Sequence, residues 1–136
     1  MKELDEVRLV KSMLFVGLDP GMAGFEQVKR LIKMVYESGE RKKKNIKLIE
    51  YYKIVAKEYG LTKNSVERNT RSIILKAVRN KESLTNEIFY GMIYAGEILN
   101  SKTFILGFAM LLDLEDETGR KILQPQWKRG NEGVRF

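Results

Sequence analysis

Residues 52–66 read YKIVAKEYGLTKNSV, and this stretch has the spacing of a helix-turn-helix. Two helices that cross closely need a small residue where they touch, which Ala56 supplies. The turn needs a residue that accepts positive φ, and Gly60 follows four positions later. Val66, ten positions after Ala56, is the aliphatic residue expected to fill the angle between the helices. The spacing predicts a helix-turn-helix, and an ordinary corner between two bundle helices is the alternative.

The second helix of this unit has a polar outward face that suits a DNA groove. Its polar residues are Lys63, Asn64, Glu67, Arg68, Arg71 and Ser72. A recognition helix contacts base edges in the major groove, where arginine can donate two hydrogen bonds to guanine and glutamate can accept one from cytosine. The predicted base-reading residues are therefore Asn64, Glu67, Arg68 and Arg71. A solvated helix surface is the alternative interpretation of the same residues.

The net charge of +7 is distributed unevenly along the chain. Residues 41–81 carry 13 basic and 3 acidic groups, a net +10, whereas residues 82–118 carry 1 basic and 7 acidic groups, a net −6. A concentrated positive field attracts polyanions, although a solvated lysine face would have the same composition. Lysines on or beside the helix-turn-helix suit phosphate contacts, and the predicted phosphate-binding residues are Lys42, Lys43, Lys44, Lys47, Lys53 and Lys63.

The composition excludes several kinds of active site. The chain has no cysteine and no histidine, which rules out a disulfide, a thiolate or imidazole zinc site, a Ser-His triad and a cysteine nucleophile. We therefore expect no enzyme activity, no cofactor and no metal. The N-terminus lacks the basic region of a signal peptide, and the longest apolar stretch, residues 103–112, is far short of the roughly 20 residues that span a bilayer. We expect a cytoplasmic protein without membrane contact.

Apolar residues recur with helical spacing along most of the chain. The pattern predicts an all-α fold of about six helices in one compact domain over residues 1–116, followed by an irregular basic tail over residues 117–136. The predicted helices cover about 4–18, 23–38, 46–59, 63–79, 85–99 and 101–115. Thr62 and Ser101 are the predicted N-caps of the fourth and last helices.

The first four predicted helices each have a candidate core face. In the first helix this face comprises Leu4, Val7, Val10, Leu14 and Phe15. In the second it comprises Phe25, Val28, Leu31, Ile32 and Val35. In the third and fourth it comprises Leu48, Ile49, Tyr52, Val55, Ala56, Val66, Thr70, Ile73, Ile74 and Ala77. The acidic residues Asp113, Glu115, Asp116 and Glu117 could bind a divalent cation, but an acidic surface at the end of a helix is the favoured interpretation.

The block Val66-Glu67-Arg68 with Arg71, after residues 54–59, resembles the C-terminal DNA-binding effector domain of the master response regulator of sporulation initiation in Gram-positive spore formers. Weaker similarity in the flanks extends the resemblance over roughly residues 4–115. It implies a six-helix fold particular to that family, with the fourth helix as recognition helix. It also implies transcriptional control at a promoter and pairing of domains on tandem sites. By position, Glu67, Arg68 and Arg71 match the family's base- and phosphate-contacting residues.

Several positions depart from the family pattern. The family typically has arginine where Ser65 stands, Ala-Ile where Asn69-Thr70 stand, and often histidine where Ser72 stands. These departures bear on the target sequence rather than on the binding mode. The family also joins this domain to an N-terminal receiver with a phosphorylatable aspartate, whereas this chain begins just before the first effector helix. If this chain is the whole protein, we expect control by expression level, a partner or the tail instead of phosphorylation.

These features favour a sequence-specific, double-stranded DNA-binding transcription regulator, with the recognition helix over about 63–79 in the major groove. We expect self-association on tandem DNA sites, and RNA polymerase is a further candidate partner. The alternative is a protein-interaction module that keeps the fold and pairs with a full-length regulator without reading DNA.

Overall fold

The computed structural model describes residues 3–39, 47–80 and 100–124, in which the chain forms five helices and no strand. The helices are α1 (Glu6–Val16), α2 (Gly24–Ser38), α3 (Leu48–Tyr59), α4 (Lys63–Arg79) and α5 (Ser101–Thr118). The all-α prediction is confirmed, and the helix expected over residues 85–99 lies outside the described residues. Among the five helices, none combines the length and apolarity needed to cross a membrane.

Helix α2 forms the centre of the fold and packs against each of the other four helices. Its predicted apolar face is confirmed, because all of its members are buried: Phe25, Val28, Leu31, Ile32 and Val35. Gly39 ends the helix with a φ of 75°, in the left-handed region that glycine adopts without strain. Because α2 is covered by neighbouring helices on several sides, the hydrophobic core lies around it.

Helix α1 buries a different face from the one predicted. Leu9, Met13 and Val16, spaced by four and three residues, are fully buried, whereas Val7 and Leu14 are 61% and 44% exposed. Both sets have helical spacing, so periodicity alone does not choose between them. The predicted core face was wrong at its exposed members because packing against α2 selects the other face.

Helix α5 begins at the predicted residue but has a different cap. The side-chain oxygen of Asn100, not that of Ser101, accepts a hydrogen bond from the backbone N–H of Thr103 at 2.7 Å. The helix continues to Thr118, three residues beyond its predicted end. The domain boundary after residue 116 stays a prediction.

The acidic end of α5 is partly a buried structural element. Asp113 and Glu115 are only 7% and 5% exposed, so an acidic surface is the wrong interpretation for these two residues. One oxygen of Glu115 forms an ion pair with Arg8 of α1 at 3.0 Å. The other accepts hydrogen bonds from the backbone N–H groups of Ile122 and Leu123 at 2.7 and 2.9 Å. Glu115 therefore joins α1 to the segment that follows α5. Within the described ranges, no cluster of side chains that could hold a metal ion is found, at this end of α5 or elsewhere.

Candidate nucleic-acid interface

The turn between α3 and α4 is built on Gly60. Its φ of 68° lies in the left-handed region, where a side chain would be strained. Its N–H donates to the carbonyl of Lys57 at 3.4 Å, and the N–H of Leu61 donates to the carbonyl of Ala56 at 2.8 Å. These two bonds satisfy carbonyls that the end of a helix would otherwise leave without a partner. The chain thus leaves α3 in a fixed direction.

Thr62 determines where α4 starts. Its hydroxyl oxygen accepts a hydrogen bond from the backbone N–H of Ser65 at 3.0 Å, and the hydroxyl donates to the Ser65 side chain at 2.9 Å. This is the predicted N-cap arrangement. Leu61 is the only residue between Gly60, which ends α3, and Thr62, which caps α4. Gly60 and Thr62 together therefore hold the first turn of α4 against α3.

Helices α3 and α4 cross through small and aliphatic side chains. Ala56 is 4% exposed and Val66 is fully buried, and both belong to the hydrophobic core. The face predicted for α3 was wrong at Ile49, which is 42% exposed. The buried line of α4 contains the five residues expected from its periodicity: Val66, Thr70, Ile73, Ile74 and Ala77. Because one side of α4 is buried along its whole length, the opposite side faces away from the core.

Arg68 lies opposite this buried line and is exposed. Asn64, four residues earlier, and Arg71, three residues later, lie on the same side of the helix and are also exposed. Within the part of the chain that the structure describes, Arg68 has no ion-pair or hydrogen-bond partner. Its guanidinium is therefore available to an external acceptor.

Glu67 and Arg71 form an ion pair with each other. The Arg71 guanidinium donates to a Glu67 carboxylate oxygen at 3.1 Å, one helical turn away. The Arg71 side chain is 60% exposed and the Glu67 side chain 38% exposed. An exposed pair of this kind contributes little to stability, so exchanging it for contacts with another molecule is inexpensive.

The predicted phosphate-binding lysines are only partly covered by the structure. Lys42, Lys43 and Lys44 lie outside the described residues. Lys47 is exposed immediately before α3, and Lys63 is half-buried at the first position of α4. Lys53 is exposed on α3, with its ammonium 3.6 Å from a carboxylate oxygen of Glu50. These three lysines therefore lie on or beside the helix-turn-helix.

Sequence reasoning missed the support that α2 gives to the end of α3. The Arg30 guanidinium donates two hydrogen bonds to the Glu58 carboxylate, at 2.8 and 2.9 Å. These hydrogen bonds hold the pKa of Glu58 below its usual range. The hydroxyl of Tyr59 also donates to the carbonyl of Glu26 at 3.3 Å. Arg30 and Glu58 are 28 residues apart, so no local pattern could have indicated the pair.

Helix α2 also supports α4 directly. The Asn69 amide donates to the side-chain oxygen of Gln27 at 3.2 Å, and Gln27 itself is only 4% exposed. Beside this bond, a Cβ built on Gly24 would lie 2.4 Å from the Asn69 carbonyl oxygen. Asn69 therefore faces α2 rather than a DNA groove. The departure of Asn69 from the family pattern was the available signal for this contact, and its partner is the buried Gln27.

A further ion pair holds the C-terminal half of α4. The Lys76 ammonium lies 2.6 Å from a carboxylate oxygen of Asp19, in the loop before α2. The Lys76 hydrogen bond, with a second from the Gly21 N–H, lowers the pKa of Asp19 below its usual value. With the Gln27 contact, this pair supports α4 from α2 and the loop before it.

A family model described as "Sporulation initiation factor Spo0A C terminal" matches residues 9–109 of this chain. No curated protein and no solved structure matches it. The matched span runs from α1 into α5 and includes the whole helix-turn-helix. This is a family of DNA-binding regulatory domains rather than of enzymes. The chain therefore belongs to the family of the C-terminal domain of sporulation initiation factor Spo0A, a DNA-binding domain of transcription regulation.

Proposed function

We propose that this protein is a sequence-specific regulator of transcription that reads double-stranded DNA with α4 in the major groove. The observation that carries the proposal is the outward side of α4. Arg68 is exposed there, opposite a fully buried line, and has no partner among the described residues. An arginine on the exposed side of the second helix of a helix-turn-helix is placed as in proteins that read guanine directly.

Each polar residue of this side suits a base edge or a phosphate. Arg68 can donate two hydrogen bonds to guanine O6 and N7, and Asn64 can bind adenine through its amide. Arg71 can bind a guanine or a phosphate once its pair with Glu67 opens, and Glu67 can then accept from cytosine N4. Lys47, Lys53 and Lys63 would contact phosphates on either side of the groove. Base and phosphate contacts together give both specificity and affinity.

The proposal includes pairing of two copies on DNA. One recognition helix covers only a few base pairs, which is too few to specify a promoter. Two copies on neighbouring half-sites, about one helical turn apart, would double the sequence that is read. Footprints at saturating protein should therefore cover two half-sites, and footprints that never exceed one would contradict pairing. Contact with RNA polymerase stays a prediction.

The test begins with selection of bound fragments from a random pool of duplex DNA. The selected sequence and a scrambled version of it then serve as targets for the wild type, for Arg68→Ala and for Lys53→Ala. Loss of a guanine contact should weaken binding to the selected site by roughly 1–3 kcal/mol and leave binding to the scrambled site nearly unchanged. Loss of a phosphate contact should weaken both and reduce the salt slope by about one.

The matched control is Arg120→Ala, which removes an exposed arginine beyond the end of α5. It has the same change in charge as Arg68→Ala and should leave the ratio of the two affinities unchanged. An unchanged ratio in Arg68→Ala as well would refute α4 as the base reader. A wild type that enriches no sequence and binds no duplex would favour the protein-interaction module instead.

A further inference from the structure

A cleft of about 530 Å³ lies between the C-terminal half of α4 and the start of α5. Its walls include Tyr52 of α3, Arg71 and Arg79 of α4, and Lys102 of α5. Among the described residues that line it, three are cationic and only Glu67 is anionic. Because Glu67 forms an ion pair with Arg71, the net positive charge of the cleft comes from Arg79 and Lys102.

We propose that Arg79 and Lys102 bind the DNA backbone at the edge of the groove that α4 enters, as a two-cation phosphate clamp. The inference rests on the proposed function and adds residues from a second helix to the interface. Arg79 and Lys102 are both exposed. Within residues 3–39, 47–80 and 100–124, neither has an ion-pair or hydrogen-bond partner.

The length of α4 places Arg79 beyond the bases. The helix has 17 residues and is therefore about 25 Å long, whereas the major groove is about 12 Å wide. Its N-terminal residues contact base edges in this binding mode, so its C-terminal half must pass the sugar-phosphate rim. Arg79 follows Arg68 by 11 residues, or three helical turns, and thus lies on the same side of the helix. An arginine in that place meets phosphate rather than a base.

The start of α5 holds Lys102 on the opposite wall of the cleft. Tyr52 is buried, and it lines the cleft together with Ser101, the residue before Lys102. The side chain of Asn100 caps the same helix end. This cap fixes the backbone of the first turn, which carries Lys102, so Lys102 lines the cleft from a rigid position. Two cations on separate rigid helices can bracket one stretch of backbone.

The experiment measures binding of the full chain to the selected duplex and to its scrambled version between 50 and 200 mM salt. The variants are Arg79→Gln, Lys102→Gln and the double variant, each of which removes charge and keeps a side chain that suits a helix. Affinity falls as salt rises, and each lost phosphate contact makes the negative slope of log affinity against log salt shallower by about 0.9. The loss of affinity across this fourfold range of salt should therefore be about 3.5-fold smaller in each single variant and about 12-fold smaller in the double variant.

Lys11→Gln is the matched control, because Lys11 is an exposed lysine on α1, which is not part of the cleft wall formed by α4 and α5. It makes the same change in net charge and should leave the slope within error of the wild type. Circular dichroism checks that every variant is folded. The proposal requires equal effects on both duplexes, since phosphates carry no sequence information.

Two negative results have different meanings. If the wild type binds and Arg68→Ala loses specificity, but Arg79→Gln and Lys102→Gln keep the wild-type slope, the clamp is refuted and the proposed function stands. The clamp is also refuted if Lys11→Gln changes the slope as much as they do, since the effect is then one of net charge. If the wild type does not bind duplex DNA at all, the proposed function and the clamp are refuted together.

Discussion

Replacing Gly24 with alanine tests the close approach of α2 to α4. The added Cβ would lie 2.4 Å from the carbonyl oxygen of Asn69, 2.9 Å from its carbonyl carbon and 3.2 Å from a methyl group of Ile73. Two of these three atoms belong to the backbone of α4, so no change of rotamer can relieve the contact. To reach even 3.0 Å from the oxygen, the two helices must separate by about 0.6 Å (3.0 minus 2.4).

Strain of this kind in a packed core costs about 1–3 kcal/mol, and backbone contact places Gly24→Ala at the upper end. The higher helix propensity of alanine returns at most about 1 kcal/mol, so the expected net loss of stability is about 2 kcal/mol. Urea unfolding followed by circular dichroism measures this loss. With an m-value of about 1–2 kcal/mol/M, the midpoint should fall by about 1–2 M while m stays unchanged. Because α4 must shift, affinity for the selected DNA site should fall more than affinity for scrambled DNA.

Gly21→Ala is the matched control. A Cβ on Gly21 would have a single close neighbour, a carboxylate oxygen of Asp19 at 3.3 Å, and the residue is exposed. We expect a change within about 0.5 kcal/mol. If Gly24→Ala is as stable as the wild type, or differs from it no more than Gly21→Ala does, then α2 does not approach α4 as closely as stated. Helix α2 would then not be a close support for α4.

The remaining predictions concern single side chains of the helix-turn-helix and its supports. Thr70 is fully buried and its hydroxyl has no hydrogen-bond partner in the described part of the chain, so Thr70→Val should raise stability by about 1 kcal/mol in thermal unfolding. A loss of stability would mean that the hydroxyl is satisfied. Thr62→Ala removes the N-cap and should lower stability by about 1 kcal/mol in the same assay, whereas Thr62→Ser should restore most of it. Because Arg30 lowers the pKa of Glu58 in the folded protein, the ion pair stabilises the fold at neutral pH. This contribution is lost as the pH falls from 4.5, the ordinary pKa of a glutamate, through the lower pKa that Glu58 has in the folded protein. Glu58→Gln should therefore flatten the decline of stability with acid, by less than about 1 kcal/mol for so exposed a pair, and an unchanged decline would contradict this sign.

Local sequence determined the helices that surround the turn. Gly60 and Thr62 act on their own backbone neighbours, through a positive φ and a hydrogen bond three residues ahead. Every predicted member of the apolar faces of α2 and α4 is likewise buried, because each helix has a single apolar side and only that side can be buried, although Tyr36, also buried on α2, was not predicted. The polar side of α4 is the complement of its apolar face, which is why the sequence alone singles out Arg68.

Where the local sequence allows more than one arrangement, such as two possible buried faces of a helix, only the tertiary structure decides which one the chain adopts. In α1, two apolar faces compete, and packing against α2 buries Leu9 and Met13 while Val7 stays exposed. Glu115 could have been a surface carboxylate, but Arg8, 107 residues earlier in the chain, supplies the opposite charge that allows it to be buried.

The supports of α4 have the same origin. Gln27 and Asn69 are 42 residues apart, so no local pattern indicates that their side chains meet. Periodicity and capping are properties of neighbouring residues along the chain, so the sequence alone determines them. A buried ion pair, or a glycine pressed against the carbonyl of another helix, exists only once distant segments meet, and its free energy depends on the distance and burial that their packing creates.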